Sequence, residues 1–164
     1  MARIDKFEDL EIWQKAREIC QYIELLIQTT SLKSNYLLRD QIDRSSGFVM
    51  DNIAEGFERN GNREFIQFLS IAKGSTGEVK SQSYRAFDKK LISEEQHLKL
   101  NEMTEIEKNK IGAMMNYLHN CEIKGLKFKW FKNPKQQTSM SQFIKIYEDK
   151  PNEAAIKKVV DVLK

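Results

Sequence analysis

Proline is almost missing from this chain. Pro134 and Pro151 are the only two, and both fall in the last third. The long proline-free stretch before them suits long helices. Cysteine is equally scarce. Cys20 and Cys121 stand far apart among apolar neighbours, which excludes a disulfide-rich scaffold and points to buried free thiols in a reducing compartment. No run of about 20 apolar residues exists, so no membrane span is expected. Residues Met1 to Asp9 lack the apolar stretch of a secretory signal, and a cytoplasmic location follows as the expectation. His97 and His119 are the only histidines. Di-iron bundles need two inward Glu-x-x-His pairs. Glu94 precedes His97 by three, but Asn116 stands where the second acid would be. Both histidines are therefore read as surface residues, and no metal or cofactor is expected. Gly-x-Ser-x-Gly, Cys-His and phosphate-loop patterns are missing too, so no catalytic residue is assigned and the chain reads as non-enzymatic.

What is present is helical periodicity. Forty per cent of the residues are apolar, enough to build a core at this length. A first helix is predicted from about Leu10 to Thr29, with Asp9 as its cap. Trp13, Ala16, Cys20, Ile23 and Ile27 recur on it at three-and-four spacing, beside a second stripe of Ile12, Ile19 and Leu26. A second helix follows a short link at Thr30 to Lys33. It is capped by Ser34 and runs to about Gly56, with Leu38, Ile42, Ser45 or Ser46, Val49 and Ile53 inward. Gly61 permits a turn, and Asn62 is the expected cap of a third helix from about Arg63 to Lys90.

In that third helix Phe65, Leu69, Ala72, Thr76, Val79, Ser83 and Ala86 form a heptad seam. Gly74 and Gly77 sit in its middle and are read as close-packing contacts. Ser93-Glu94-Glu95-Gln96 has the form of a capping box, opening a fourth helix from about Glu94 to Asn120. Its inner face is Leu100, Met103, Ile106 or Glu107, Ile111, Met114, Leu118 and Cys121. Short links make neighbours antiparallel. The predicted fold is all-α: an up-down-up-down antiparallel four-helix bundle over residues 1–121, with a C-terminal basic and aromatic extension over 122–164 that ends in a short helix.

Charge divides the same way. From Cys121 onward there are ten lysines against five acids, a net +5, while the first 120 residues hold seventeen basic against nineteen acidic side chains, a net −2. Lys124, Lys127, Phe128, Lys129, Trp130, Phe131, Lys132 and Lys135 lie in a stretch without an acid. Aromatic faces can stack on unpaired bases while ammonium groups meet phosphates, which makes this segment a candidate RNA-binding patch. The alternative is that the aromatics pack on the bundle and the lysines are simply solvated.

The motifs of the second and third helices carry more. Asp40-Gln41-Ile42-Asp43-Arg44-Ser45-Ser46, Asn52-Ile53-Ala54-Glu55-Gly56, Glu64-Phe65-Ile66-Gln67-Phe68-Leu69 and Ala72-Lys73-Gly74-Ser75-Thr76-Gly77-Glu78 resemble one family's pattern. The opening Phe7-x-x-Leu10-x-Ile12-Trp13 fits it as well. The family is that of small bacterial four-helix-bundle proteins encoded in intervening sequences of 23S ribosomal RNA genes, and the resemblance spans roughly Ile4 to Leu118. It implies an up-down bundle, often in ring-like homo-oligomers. A related branch, the accessory variability protein of diversity-generating retroelements, forms a five-fold ring and binds nucleic acid and a reverse transcriptase.

Gln41, Arg44, Asn52, Glu55, Ser75 and Glu78 are the polar residues gathered by that pattern. They are expected either as a hydrogen-bonded network fixing helix register or as a small-ligand or partner site. Phe57, Phe68 and Ile71 fall outside the main stripes and are expected at a subunit interface. The functional expectation is a non-enzymatic oligomeric scaffold with RNA as candidate partner. The alternative is a protein-interaction adaptor that does not touch nucleic acid.

Overall fold

The computed structural model describes residues 4–59 and 61–120. Within them the chain is all-α, with α1 at Glu11–Thr29, α2 at Tyr36–Glu58, α3 at Asn62–Asp88 and α4 at Glu94–Asn120. Turns of 3-10 helix occupy Phe7–Asp9 and Ser31–Ser34. No strand occurs among the described residues. The domain boundary at residue 121, the extension and its terminal helix lie outside the described residues, as does Cys121.

Each helix is one residue run with one buried stripe. α1 buries Ile12, Ala16, Ile19, Ile23 and Leu26, so its two expected stripes merge, with Trp13, Cys20 and Ile27 half-buried at the edge. Burial pushes the Cys20 thiol above its usual value, only partly opposed by a hydrogen bond with Ser46. α2 buries Leu38, Ile42, Val49, Ile53 and Phe57. Phe57 is 2% exposed and meets Phe65 edge to face at 6.3 Å, so it belongs to the core and not to a subunit interface. α3 buries the heptad seam Phe65, Leu69, Ala72, Thr76, Val79, Ser83 and Ala86. Of the paired alternatives on α4, Glu107 is inward and Ile106 exposed. Met114 is half-buried. α1 packs against α2 and α4, and α3 against the same two, which closes the circuit.

The caps differ from expectation by small shifts with clear causes. Asp9 is part of the 3-10 turn, so Leu10 precedes α1 and gives no side-chain cap. Ser34 ends the second 3-10 turn, and Asn35 caps α2 by accepting from the Leu38 N–H at 3.3 Å. Gly61 precedes α3, and Asn62 is its first helical residue. α3 stops at Asp88 because Lys90 takes a left-handed conformation at φ 57°. The Leu91 N–H then bonds Ala86 O at 2.9 Å and the Lys90 N–H bonds Phe87 O at 2.8 Å, a Schellman motif. The capping box at Ser93 forms as expected: Ser93 N–H donates to Gln96 Oε1 at 2.9 Å and Gln96 N–H to Ser93 Oγ at 3.2 Å.

Gly74 and Gly77 make no packing contact among the described residues. Both are exposed, and a Cβ at either would meet nothing within 4 Å. The close approach is instead at Gly56, where a Cβ would stand 2.6 Å from Phe68 Cβ and 2.8 Å from Phe65 Cδ2. That contact lets the ends of α2 and α3 pack tightly.

Candidate functional site

The first half of α2 and the second half of α3 flank a surface groove of about 300 Å³. Gln41, Arg44, Ser45 and Phe48 line it from α2, and Glu78, Gln82 and Arg85 from α3. The spacing explains the convergence: 41, 44, 45, 48 and 78, 82, 85 are each one helical face. At the floor, buried Ser45 donates to Glu78 Oε2 at 3.1 Å and accepts from Gln82 Nε2 at 3.0 Å. Arg85 Nη1 donates to Gln41 Oε1 at 2.9 Å across the mouth. Arg44 has no hydrogen bond or ion pair among the described residues. Phe48 leaves 48% of its surface exposed one turn away. Gln82 Oε1 is buried without a partner.

The expected polar set is thus distributed over several places. Gln41, Arg44 and Glu78 meet at this groove. Ser75 is buried on α3. Asn52 donates to its own helix at Phe48 O, 2.7 Å, and Glu55 pairs with Arg59 of the same helix at 2.7 Å. Gln82 and Arg85 were not among the expected residues, although they follow Glu78 at four and seven, on the same face. Lys124, Lys127, Phe128, Lys129, Trp130, Phe131, Lys132 and Lys135 lie outside the described residues.

His97 is not a surface residue. It is 5% exposed, stacked on Phe87 at 4.9 Å and met edge-on by Tyr84 at 4.5 Å. Ser83 Oγ lies 2.9 Å from Nδ1 and Asn101 Nδ2 lies 3.0 Å from Nε2. With the amide nitrogen donating to Nε2, the ring proton sits on Nδ1 and Ser83 accepts it. That is the reverse of the proton flow that activates a nucleophile. Turning the amide over would reverse the roles and give Asn101 Oδ1, otherwise unpartnered, the Nε2–H. In either arrangement Ser83 is fully buried, and the trio ties α3 to α4.

A third polar position contrasts with both. Glu107 is 0% exposed, and neither carboxylate oxygen has a partner. Burial pushes its pKa from 4.5 up to about 9, with Lys110 and Lys15 pulling down and Glu11 and Glu18 pushing up. Glu107 is therefore a neutral acid at pH 7. Among the described residues no three His, Cys, Asp or Glu side chains are placed to hold a metal ion. No helix among them is long and apolar enough to cross a membrane.

A closed circuit of four helices among the described residues defines the class: a small all-α bundle. The family model of the 23S rRNA-intervening sequence protein matches residues 8–116, and the chain belongs to that family. No curated protein matches it.

Proposed function

We propose that this chain is a non-enzymatic helical scaffold that assembles with copies of itself and binds single-stranded RNA. The reading takes the bundle as up-down-up-down. Support comes from the order of partners across three of the four seams: Gln41 with Arg85 and Ser45 with Glu78, Lys80 with Glu105 and Ser83 with His97, Glu11 with Lys110 and Tyr22 with Gln96. In every pair set one number rises as the other falls.

The observation that carries the assembly reading is the outer face of α3. Ser70, Gly74, Gly77 and Ser81 recur there at four-three-four spacing, all exposed, with Ile71 beside them at 48% exposure. Each mid-helix glycine costs about 1 kcal/mol relative to alanine. No contact among the described residues offsets that cost, because the space over both is open there. Another helix could approach such a face closely. A closed ring of copies uses it without leaving an open end, and the five-fold ring of the resembling retroelement branch is one such closure. RNA enters through the acid-free, aromatic stretch at Lys124 to Lys135.

Light scattering at micromolar concentration is expected to give a multiple of the chain mass, and Gly74→Leu to reduce it. A monomer mass for the intact chain would overturn the assembly. Fluorescence anisotropy with an unstructured RNA oligomer is expected to show binding that weakens steeply with salt, since phosphate contacts release counterions. No binding at low salt would overturn the RNA reading and put the protein adaptor first. One observation favours that adaptor: Leu37 at 83%, Tyr36 at 66% and Leu98 at 58% exposure are apolar surface that a protein could cover.

A further inference from the structure

We infer that the α2–α3 groove is a seat for one nucleotide of single-stranded RNA, with the base on Phe48 and the phosphate on Arg44. The inference rests on the RNA reading above but places a contact in the bundle, apart from the lysine-rich stretch.

The case is one of matched chemistry. Phe48 presents a ring face with nearly half its surface free. A base stacked on an aromatic ring is worth about 1–3 kcal/mol whatever its identity. Arg44 stands one helical turn from Phe48, at i and i+4, and its guanidinium has no partner among the described residues. An unpaired fork of donors beside a free ring suits a phosphate next to a base. Arg85 adds a second positive charge at the mouth, only partly engaged by Gln41. Gln41, exposed on α2, keeps its amide donors while its oxygen accepts from Arg85. These are the groups that meet a base edge.

Glu78 decides between ligand classes. It brings a negative charge into the groove, which weighs against any anion that offers no hydrogen-bond donor beside it. One of its oxygens is used by Ser45. The other can accept from a ligand hydroxyl or amine, and a ribose 2′-OH or an exocyclic amino group is such a donor. A ligand with a planar ring, a phosphate and a donor hydroxyl meets Phe48, Arg44 and Glu78 together; a carboxylate alone meets only Arg44. Two arginines against one glutamate leave the lining at a net single positive charge, so binding at one seat is weak. Repeating the seat in an assembly would raise avidity without new contacts.

The test uses the full chain and four substitutions: Arg44→Gln, Phe48→Ala and Glu78→Gln in the groove and, in the lysine-rich stretch, Trp130→Ala. Anisotropy is followed with an unstructured RNA oligomer and its DNA counterpart across a salt series. Phe48→Ala is expected to weaken RNA binding about tenfold. Arg44→Gln is expected to weaken it and to lower the slope of log affinity against log salt by about 0.7, the value for one phosphate on a single strand. The DNA oligomer is expected to bind less tightly than RNA, and Glu78→Gln to shrink that gap. If the intact chain binds RNA and only Trp130→Ala weakens it, the groove is not the seat while the RNA reading stands. If the intact chain binds no RNA at low salt, both fail. If a carboxylate-rich peptide binds in an Arg44-dependent way and RNA does not, the groove is a protein site and the inference is overturned.

Discussion

α3 has two polar seams, and they are used in opposite ways. Toward α4 it presents Ser83 to His97, buried, with both ring nitrogens engaged and the ring held between Phe87 and Tyr84. Toward α2 it presents Glu78, Gln82 and Arg85 to an open groove where Arg44 has no partner among the described residues and Phe48 is uncovered. Similar residue types serve both seams. A polar group whose partners all lie within the protein fixes the register of two helices, because removing one partner strands the other in an apolar interior. A polar group left half-used at an opening is free to meet something else. The first seam should therefore respond to mutation in stability, and the second in binding.

The largest effect is expected where neither pattern holds. Glu107, on α4 facing α1, is buried with no partner. Its folded pKa of about 9 lies above the ordinary 4.5, so the folded state holds the proton more tightly than the unfolded chain. Its contribution to stability is thus fully present below pH 4.5 and is lost as pH rises toward 9. The loss is about 1.4 kcal/mol per pH unit, on the order of 3 kcal/mol between pH 6 and pH 8. Urea unfolding at pH 6, 7 and 8 should show the intact chain losing stability relative to Glu107→Gln as pH rises. Parallel curves for the two proteins would mean that the acid is not held neutral.

His97→Ala is next. It removes a packed ring and strands Ser83 and Asn101, for an expected loss of about 2–4 kcal/mol by urea unfolding. RNA affinity at a temperature where the variant is folded should not change. Arg44→Gln is its opposite: stability within about 0.5 kcal/mol of the intact chain, because the side chain is exposed and unpaired, with weaker RNA binding. Stability loss in both variants would erase the distinction between the seams.

Gly56→Ala probes the closed end of the α2–α3 seam. The added Cβ would press on Phe68 Cβ and Phe65, and about 1–3 kcal/mol of destabilisation is expected. The smallest effect is at the joint between α3 and α4. Lys90→Gly relieves a left-handed backbone and should raise stability by about 0.5–1 kcal/mol. A loss on that substitution would mean that the Lys90 side chain contributes more than its backbone costs.

Much of the fold was legible in the sequence because three-and-four spacing of large apolar residues admits few solutions. Leu38, Ile42, Val49 and Ile53, and the heptad from Phe65 to Ala86, are buried as their spacing required. The capping box at Ser93 was equally plain. Positions decided by tertiary partners were not legible. Nothing local says that His97 faces Ser83 fourteen residues away, or that an acid, Glu107, takes the inward place over its neighbour Ile106. Small residues are ambiguous for the same reason. Gly56 and Gly74 look alike in sequence, yet one meets Phe68 and the other meets open space. At the groove, Gln41, Arg44 and Glu78 were marked by the motif, while Gln82 and Arg85 needed the helix pairing to bring them in.

The most direct measurement is a photocrosslinking map of a thiouridine-containing single-stranded RNA on the intact chain, read by mass spectrometry. Adducts are expected on the α2 peptide that contains Phe48, beside any at Trp130, and none on the buried seam around His97. Adducts confined to residues outside the α2–α3 groove would contradict the groove as the RNA seat.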